Sequence, residues 1–202
     1  MPKIILHDRI VEDDWQVVQF PIKQEPVRKQ AGKLVIFRIT GEQAISADEV
    51  AALQIPSGKV IVPLAAWLGR KQELAPRLSA GQLGVWLDSY ELLENLLGSI
   101  DDINKFGVIA VNFPRFVDGR GFSMATLLRA RHSYRGELRA IGDVLQDQLF
   151  YMRRVGFNAY AIRADKNIES ALRGLTDFSE TYQSAVDEPL PLFRRHSRSP
   201  AP

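Results

Sequence analysis

The sequence predicts an α/β fold built from four successive strand–helix units with parallel strands. An irregular α+β extension precedes them and a Pro/Arg-rich tail comes after. Three observations point there. From about residue 81 onward, short β-rich runs alternate with segments of helical periodicity. The strand runs are almost continuously apolar, as expected for strands covered on both faces. The connections are short and punctuated by glycine or proline. Four such units make either a partial (β/α) barrel or a small open sheet, and local pattern leaves that choice open.

Each element has a local signal. Ile4-Ile5-Leu6 and Val17-Val18-Gln19-Phe20 read as short strands around an acidic Glu12-Asp13-Asp14, and Pro21 and Pro26 then interrupt regular structure. Lys33 to Thr40 reads as a strand ended by Gly41, and Ser46-Ala47-Asp48-Glu49 as a capping box for a helix through Leu53. Val60-Ile61-Val62 is a brief strand before a helix over Leu64 to Glu73, with Pro76 as its stop. Gln82 to Leu87 opens the regular part, with Asp88-Ser89 as cap for a helix over Tyr90 to Leu97 and Gly98 at its end. Phe106 to Phe113 is the next strand, closed by Pro114, and a helix runs from about Ser123 to Arg131. Glu137 to Ile141, a helix over Asp143 to Val155 capped by Gly156, the strand Phe157 to Arg163 and a helix from Asn167 to about Tyr182 complete the run. The reading divides the chain into an extension over 1–80, a core over 81–183 and an extended or disordered tail over 184–202.

Composition narrows the function classes. The chain has 202 residues, 46% of them hydrophobic, which suffices for a core of ordinary size. The 26 Lys and Arg nearly balance the 24 Asp and Glu, so no global charge favours nucleic acid or an anionic membrane. Cysteine is absent, which removes disulfides, a thiolate nucleophile and thiolate-held zinc or iron–sulfur clusters. No apolar run reaches the length of a spanning helix, and the apolar start at Ile4-Ile5-Leu6 is short for a signal peptide. The expectation is a soluble cytoplasmic protein.

In parallel α/β folds, ligands sit at the carboxyl ends of the strands. That rule selects Asp88, Asn112, Asp143 and Arg163, together with the loop from Pro114 to Ser123. Within the loop, Asp118-Gly119-Arg120-Gly121-Phe122-Ser123 joins two glycines, an arginine and a helix start. Gly119 and Gly121 would let backbone approach a ligand, free amides at the helix start favour anions, and Arg120 is a fork-shaped cation suited to sulfate, phosphate or carboxylate. The plainer reading is a turn in which both glycines take positive φ and Asp118 caps the helix. The run is neither a dinucleotide fingerprint nor a P-loop.

Every basic residue between 106 and 165 is arginine. Most read as structural ion pairs; Arg120, Arg139 and Arg163 stand out by position as anion contacts. Arg139 lies inside a strand, where an unpaired charge is costly to bury. Asp143 and Asp147 share a helix face and read as acid/base or cation-binding groups, or more simply as a helix cap and an arginine partner. His7, His132 and His196 show no metal-ligand spacing, and no Gly-x-Ser-x-Gly elbow is present. Trp15, Trp67 and Trp86 read as core or interface anchors.

Three blocks then carry a family resemblance: Val60-Ile61-Val62-Pro63-Leu64 with Trp67-Leu68; Phe113-Pro114-Arg115-Phe116 continuing into Asp118-Gly119-Arg120-Gly121-Phe122-Ser123 and Leu127-Leu128-Arg129; and Tyr134-Arg135-Gly136-Glu137-Leu138-Arg139-Ala140-Ile141-Gly142-Asp143-Val144-Leu145, followed by Asp147-Gln148-Leu149 and Arg153-Arg154-Val155-Gly156-Phe157. Over about residues 57 to 182 they resemble the bacterial family of unknown function designated DUF934. Residues about 30 to 55 look longer than that family's N-terminus, and Phe122 stands where Tyr is common. Members are labelled probable oxidoreductases involved in sulfite reduction, a label that rests on gene neighbourhood. The resemblance implies a place in sulfur assimilation, with sulfite reductase or a small anion as partner. The catalytic subunit of that enzyme needs siroheme and an iron–sulfur cluster, normally held by cysteines, and this chain has no cysteine and no recognised cofactor motif. Three expectations stand: an accessory or assembly protein of sulfite reductase, a small-molecule enzyme or anion binder using Asp118, Arg120, Asp143 and Arg163, and an oxidoreductase with an unrecognised cofactor site.

Overall fold

The computed structural model describes residues 2–21 and 45–195, together with the backbone of two strands at 27–30 and 33–36. The strands are β1 (Lys3–Leu6), β2 (Arg9–Glu12), β3 (Gln16–Val17), β4 (Val27–Gln30), β5 (Lys33–Ile36), β6 (Val60–Pro63), β7 (Leu83–Asp88), β8 (Val108–Phe113), β9 (Glu137–Gly142) and β10 (Ala159–Tyr160). The helices are α1 (Ala47–Ala52), α2 (Leu64–Gly69), α3 (Lys71–Ser79), α4 (Leu93–Leu97), α5 (Arg120–Ala130), α6 (Gln146–Arg154), α7 (Ile168–Arg173) and α8 (Leu192–Arg195). Eight strands form one sheet in the order β2-β1-β10-β9-β8-β7-β6-β3, while β4 and β5 pair separately. From β3 through β10 the neighbours in that sheet are parallel, and β1 is antiparallel to both β10 and β2.

Strand order from β6 to β10 equals chain order, so each crossover helix lies over the same face. Register makes the two faces distinct. Val85 pairs with Ile109 and Ile109 with Leu138, placing Val85, Leu87, Ile109, Val111, Leu138, Ala140 and Tyr160 beneath the helices. Each of the buried Val, Leu and Ile side chains among them contributes about 1.5–3 kcal/mol. The alternate residues Ile61, Val108, Ala110 and Ile141 face the other way and form a second cluster with Trp15 and Trp86.

The link between β2 and β3 decides the sheet's shape. Glu12 ends one edge strand and Gln16 begins the opposite edge strand. Four Cα steps reach at most about 14 Å. The sheet is therefore an open one curled into a half-barrel, which joins the two forms that the sequence left as alternatives. Residues 13–15 run across its hollow side, where a Cβ on Gly107 would lie 3.0 Å from the Trp15 ring and Trp86 Nε1 donates to the Val18 carbonyl at 2.8 Å.

Several boundaries move from their sequence-based positions. The parallel run begins one unit earlier, at β6, and strands from both sides of residue 80 share the sheet. Pro76 lies inside α3, which continues to Ser79 with Leu74 buried beneath it. Helix α4 is shorter than predicted, capped at Leu92 instead of Asp88-Ser89. The last long helix divides after Arg173, where Gly174 sits so close that a Cβ would lie 2.5 Å from the Gln146 carbonyl oxygen. The segment after Ser184 is docked as far as residue 195. Val186 N–H donates to the Arg154 carbonyl at 3.0 Å, Arg154 approaches Asp187 at 3.6 Å, and α8 ends the described chain. Phe37 to Thr40, Gly41, Pro26 and His196 lie outside the described residues.

Candidate functional site

The carboxyl ends of β7, β8, β9 and β10 bring most of the predicted residues together. Asp88 ends β7 and Asn112 is its register partner on β8. Asn112 Nδ2 donates to Asp88 Oδ1 at 2.6 Å. Burial pushes the Asp88 carboxyl above its ordinary range, against the hydrogen bonds from Asn112 and Tyr90. The Asp88 backbone N–H in turn donates to Glu91 Oε2 at 2.7 Å. Burial lifts Glu91 to about 7, and the nearby Asp88 charge adds to the rise. A carboxyl with that value exchanges protons near neutral pH.

The Asp118–Arg120 loop closes over this pair. Arg120 donates from Nη2 and Nε to the two Asp118 carboxylate oxygens at 2.7 and 3.0 Å. Ser89, buried at the start of the β7–α4 turn, donates to Asp118 Oδ2 at 2.6 Å. Arg120 holds Asp118 well below the usual carboxylate range, with Ser89 assisting. The predicted turn is corrected in detail. Gly119 has φ −88° and precedes α5, and Gly121 lies within that helix. Gly121 is needed for closeness, not for positive φ: a Cβ there would lie 2.8 Å from the Phe113 ring and 2.9 Å from Val111. Asp118 accepts from the backbone N–H of Arg120, the first residue of α5, at 3.2 Å as well as from its guanidinium, so it does serve the helix start.

The third group is Asp143 with Arg163. Gly142, at φ 92°, turns the chain out of β9. Asp143 then accepts from the Phe116 backbone N–H at 2.8 Å and from Arg163 Nη1 at 2.6 Å. It does not cap α6, whose first turn is closed by Gln148 accepting from the Leu145 N–H at 3.2 Å. Arg163 also donates to Asp165 through Nε at 2.6 Å and Nη2 at 3.0 Å, and these two carboxylates raise its pKa further. Asp147 is exposed and forms no ion pair among the described residues, contrary to the predicted arginine partner.

Arg139 does not belong to this face. It is 1% exposed on the hollow side of the sheet, donating to both Asp13 oxygens at 2.8 and 3.0 Å and to Glu137 at 2.6 Å. Its charge is met from within the chain, so the predicted anion contact is a structural ion cluster. Sequence reading missed Ser89, Glu91 and Asp165. An Asp-Ser-x-Glu run at a strand end was the available signal, read there as a helix cap.

The resulting site is a half-barrel mouth whose arginines are already engaged. Arg120 is bound to Asp118, and Arg163 to Asp143 and Asp165. An incoming anion reaches Arg120 only in competition with Asp118. Among the described residues, no group of three or more His, Asp or Glu is arranged to hold a metal ion, and no helix is long and apolar enough to cross a membrane. A separate open groove of about 450 Å³ lies on the helical side, between α3 and the turn after α4. Its lysines are engaged too, Lys71 with the Ser99 carbonyl and Lys105 with Asp101.

These features define a cysteine-free βα half-barrel with an ion-paired strand-end face. The chain belongs to the family described as bacterial protein of unknown function (DUF934), whose model matches residues 84–193. That span runs from β7 to α8 and contains all the predicted site residues. No curated protein and no solved structure matches the chain.

Proposed function

We propose that this protein is an accessory or assembly component of assimilatory sulfite reduction in the cytoplasm, working through its strand-end face instead of carrying electrons itself. The observation behind this reading is the absence of cysteine in a chain that resembles proteins labelled, by gene neighbourhood, as involved in sulfite reduction. Thiolates normally hold the iron–sulfur cluster of that six-electron chemistry, and this chain offers none. The closed ion pairs at the mouth also favour holding a shape over turning over a substrate.

The test is growth of a strain lacking the gene on sulfate, sulfite, sulfide or cysteine as sole sulfur source. Failure on sulfate and sulfite with rescue by sulfide and cysteine is expected. Normal growth on all four, in a strain without a second copy, overturns the reading.

One observation favours a second reading, a small-molecule enzyme or oxidoreductase acting directly in sulfur assimilation. Glu91, at about 7, accepts from the Asp88 backbone N–H at the end of β7, a carboxyl at the strand-end face that takes up and releases a proton near neutral pH. That reading expects the purified protein to consume sulfite when an electron donor is supplied, with the activity lost in Glu91→Gln and weakened in Arg120→Ala.

A further inference from the structure

The strand-end face exposes large apolar side chains on loops that are tied down. Leu92 is 63% exposed, Phe116 41% and Val117 82%. Leu92 lies in the β7–α4 turn, which Ser89 fastens to Asp118 at 2.6 Å. Phe116 and Val117 lie in the β8–α5 loop. The Phe116 N–H is held by Asp143 at 2.8 Å and its carbonyl accepts from Gln148 at 3.0 Å. Both loops are therefore braced while presenting apolar groups to water, the arrangement of a preorganised contact surface.

The charges around these groups say what would cover them. Arg120, Arg163 and Lys166 each contact a carboxylate of the same face, Asp118 for the first and Asp165 for the other two. Three further carboxylates surround them in the first helical turns: Glu94 on α4, Asp147 on α6 and Glu169 on α7. All three are exposed and have no ion pair among the described residues. The chain as a whole carries a formal charge of +2, so this acidity is local to the face. Such a surface repels a free anion and complements a cationic one.

We infer that this face docks a protein partner that presents lysine or arginine side chains around an apolar contact. The inference rests on the accessory reading above and names the surface and the partner chemistry for it. The apolar trio supplies contact area, and the surrounding carboxylates steer the encounter and set orientation. The helix-dipole role of Glu94, Asp147 and Glu169 is compatible with this, because a dipole partner needs only one side of its carboxylate.

The test uses the full chain and purified sulfite reductase from the same organism, with binding followed by interferometry at low and high salt. Two variants are compared with wild type: Leu92→Ser with Val117→Ser, and Glu94→Lys with Asp147→Lys and Glu169→Lys. Circular dichroism and melting check that both fold. Each variant is expected to lose at least about tenfold in affinity. The charge variant should lose it mainly in the association rate, and wild-type binding should weaken with salt. Arg135→Glu, at the opposite end of the barrel, serves as the control and should bind like wild type.

Equal binding by wild type and both variants overturns the inference. So does a wild-type protein that does not bind the reductase, and a growth defect on sulfite would then leave the accessory reading standing. Self-association of wild type that these variants abolish, seen by sedimentation without reductase binding, also overturns it in favour of a second copy as occupant. Normal growth of the deletion strain alongside variant-sensitive binding would remove the accessory reading and leave the docking surface.

Discussion

Replacing Asp13 by alanine tests how the half-barrel is held in its curl. Asp13 lies on the short link between the two edge strands and takes both terminal nitrogens of Arg139, at 2.8 and 3.0 Å. The Arg139 side chain is 1% exposed and that of Asp13 8%. Removing one member of a buried pair costs about 3–5 kcal/mol, because the remaining charge stays buried without its partner. Glu137 still accepts from Arg139 Nε at 2.6 Å, so the low end applies, about 3 kcal/mol. For a chain of this size that lowers the melting temperature by about 6–12 °C. The assay is calorimetric or circular-dichroism melting of Asp13→Ala in two backgrounds, wild type and Arg139→Met. In the second background the loss should fall below about 1 kcal/mol, since the charge that Asp13 answers is gone. Equal losses in both backgrounds, or a shift under about 2 °C in the first, would refute the argument that this pair fastens the link to β9.

Glu91→Gln should stabilise the protein at pH 8 by about 1–3 kcal/mol, because the native state raises that carboxyl from 4.5 to about 7 and so disfavours its charge. The sign comes from linkage: wild-type stability declines as pH rises from about 4.5 to about 7, and the gain from the substitution vanishes at the acid end, which urea titrations across pH would show. Gly142→Ala should cost about 3 kcal/mol or more, since φ is 92° and the new Cβ would collide with Asn112 Oδ1 and lie 2.5 Å from the Phe113 carbonyl oxygen. A melting temperature within about 2 °C of wild type would contradict that geometry. Asp118→Asn should release Arg120 from its charged partner and strengthen sulfate binding measured by titration calorimetry. Unchanged affinity would mean that Asp118 is not what occupies the guanidinium.

Much of the architecture was legible in the chain itself. The apolar runs ending at Phe113 and Ile141 became β8 and β9 to within a residue or two, and Gly156 ends α6 in the expected left-handed conformation at φ 112°. Strand-end placement also located Asp88, Asn112, Asp118, Arg120, Asp143 and Arg163 on one face. Their partners were not legible. Asp88-Ser89 looked like a cap because caps are the commonest use of those residues before a helix. Here Ser89 instead reaches a loop 29 residues further on.

By itself, then, the sequence determined which segments alternate as strand and helix, the absence of thiolate chemistry, and the family. These are properties of composition and of local periodicity, which one element's own environment imposes. Tertiary structure alone decided the curl of the sheet, the burial of Arg139 with Asp13 and the neutralisation of the rim arginines by neighbouring carboxylates. Arg139 and Asp13 are 126 residues apart, and no local pattern records a pairing at that distance. Only the short link across the half-barrel brings the two charges together, and burial then makes their pairing obligatory.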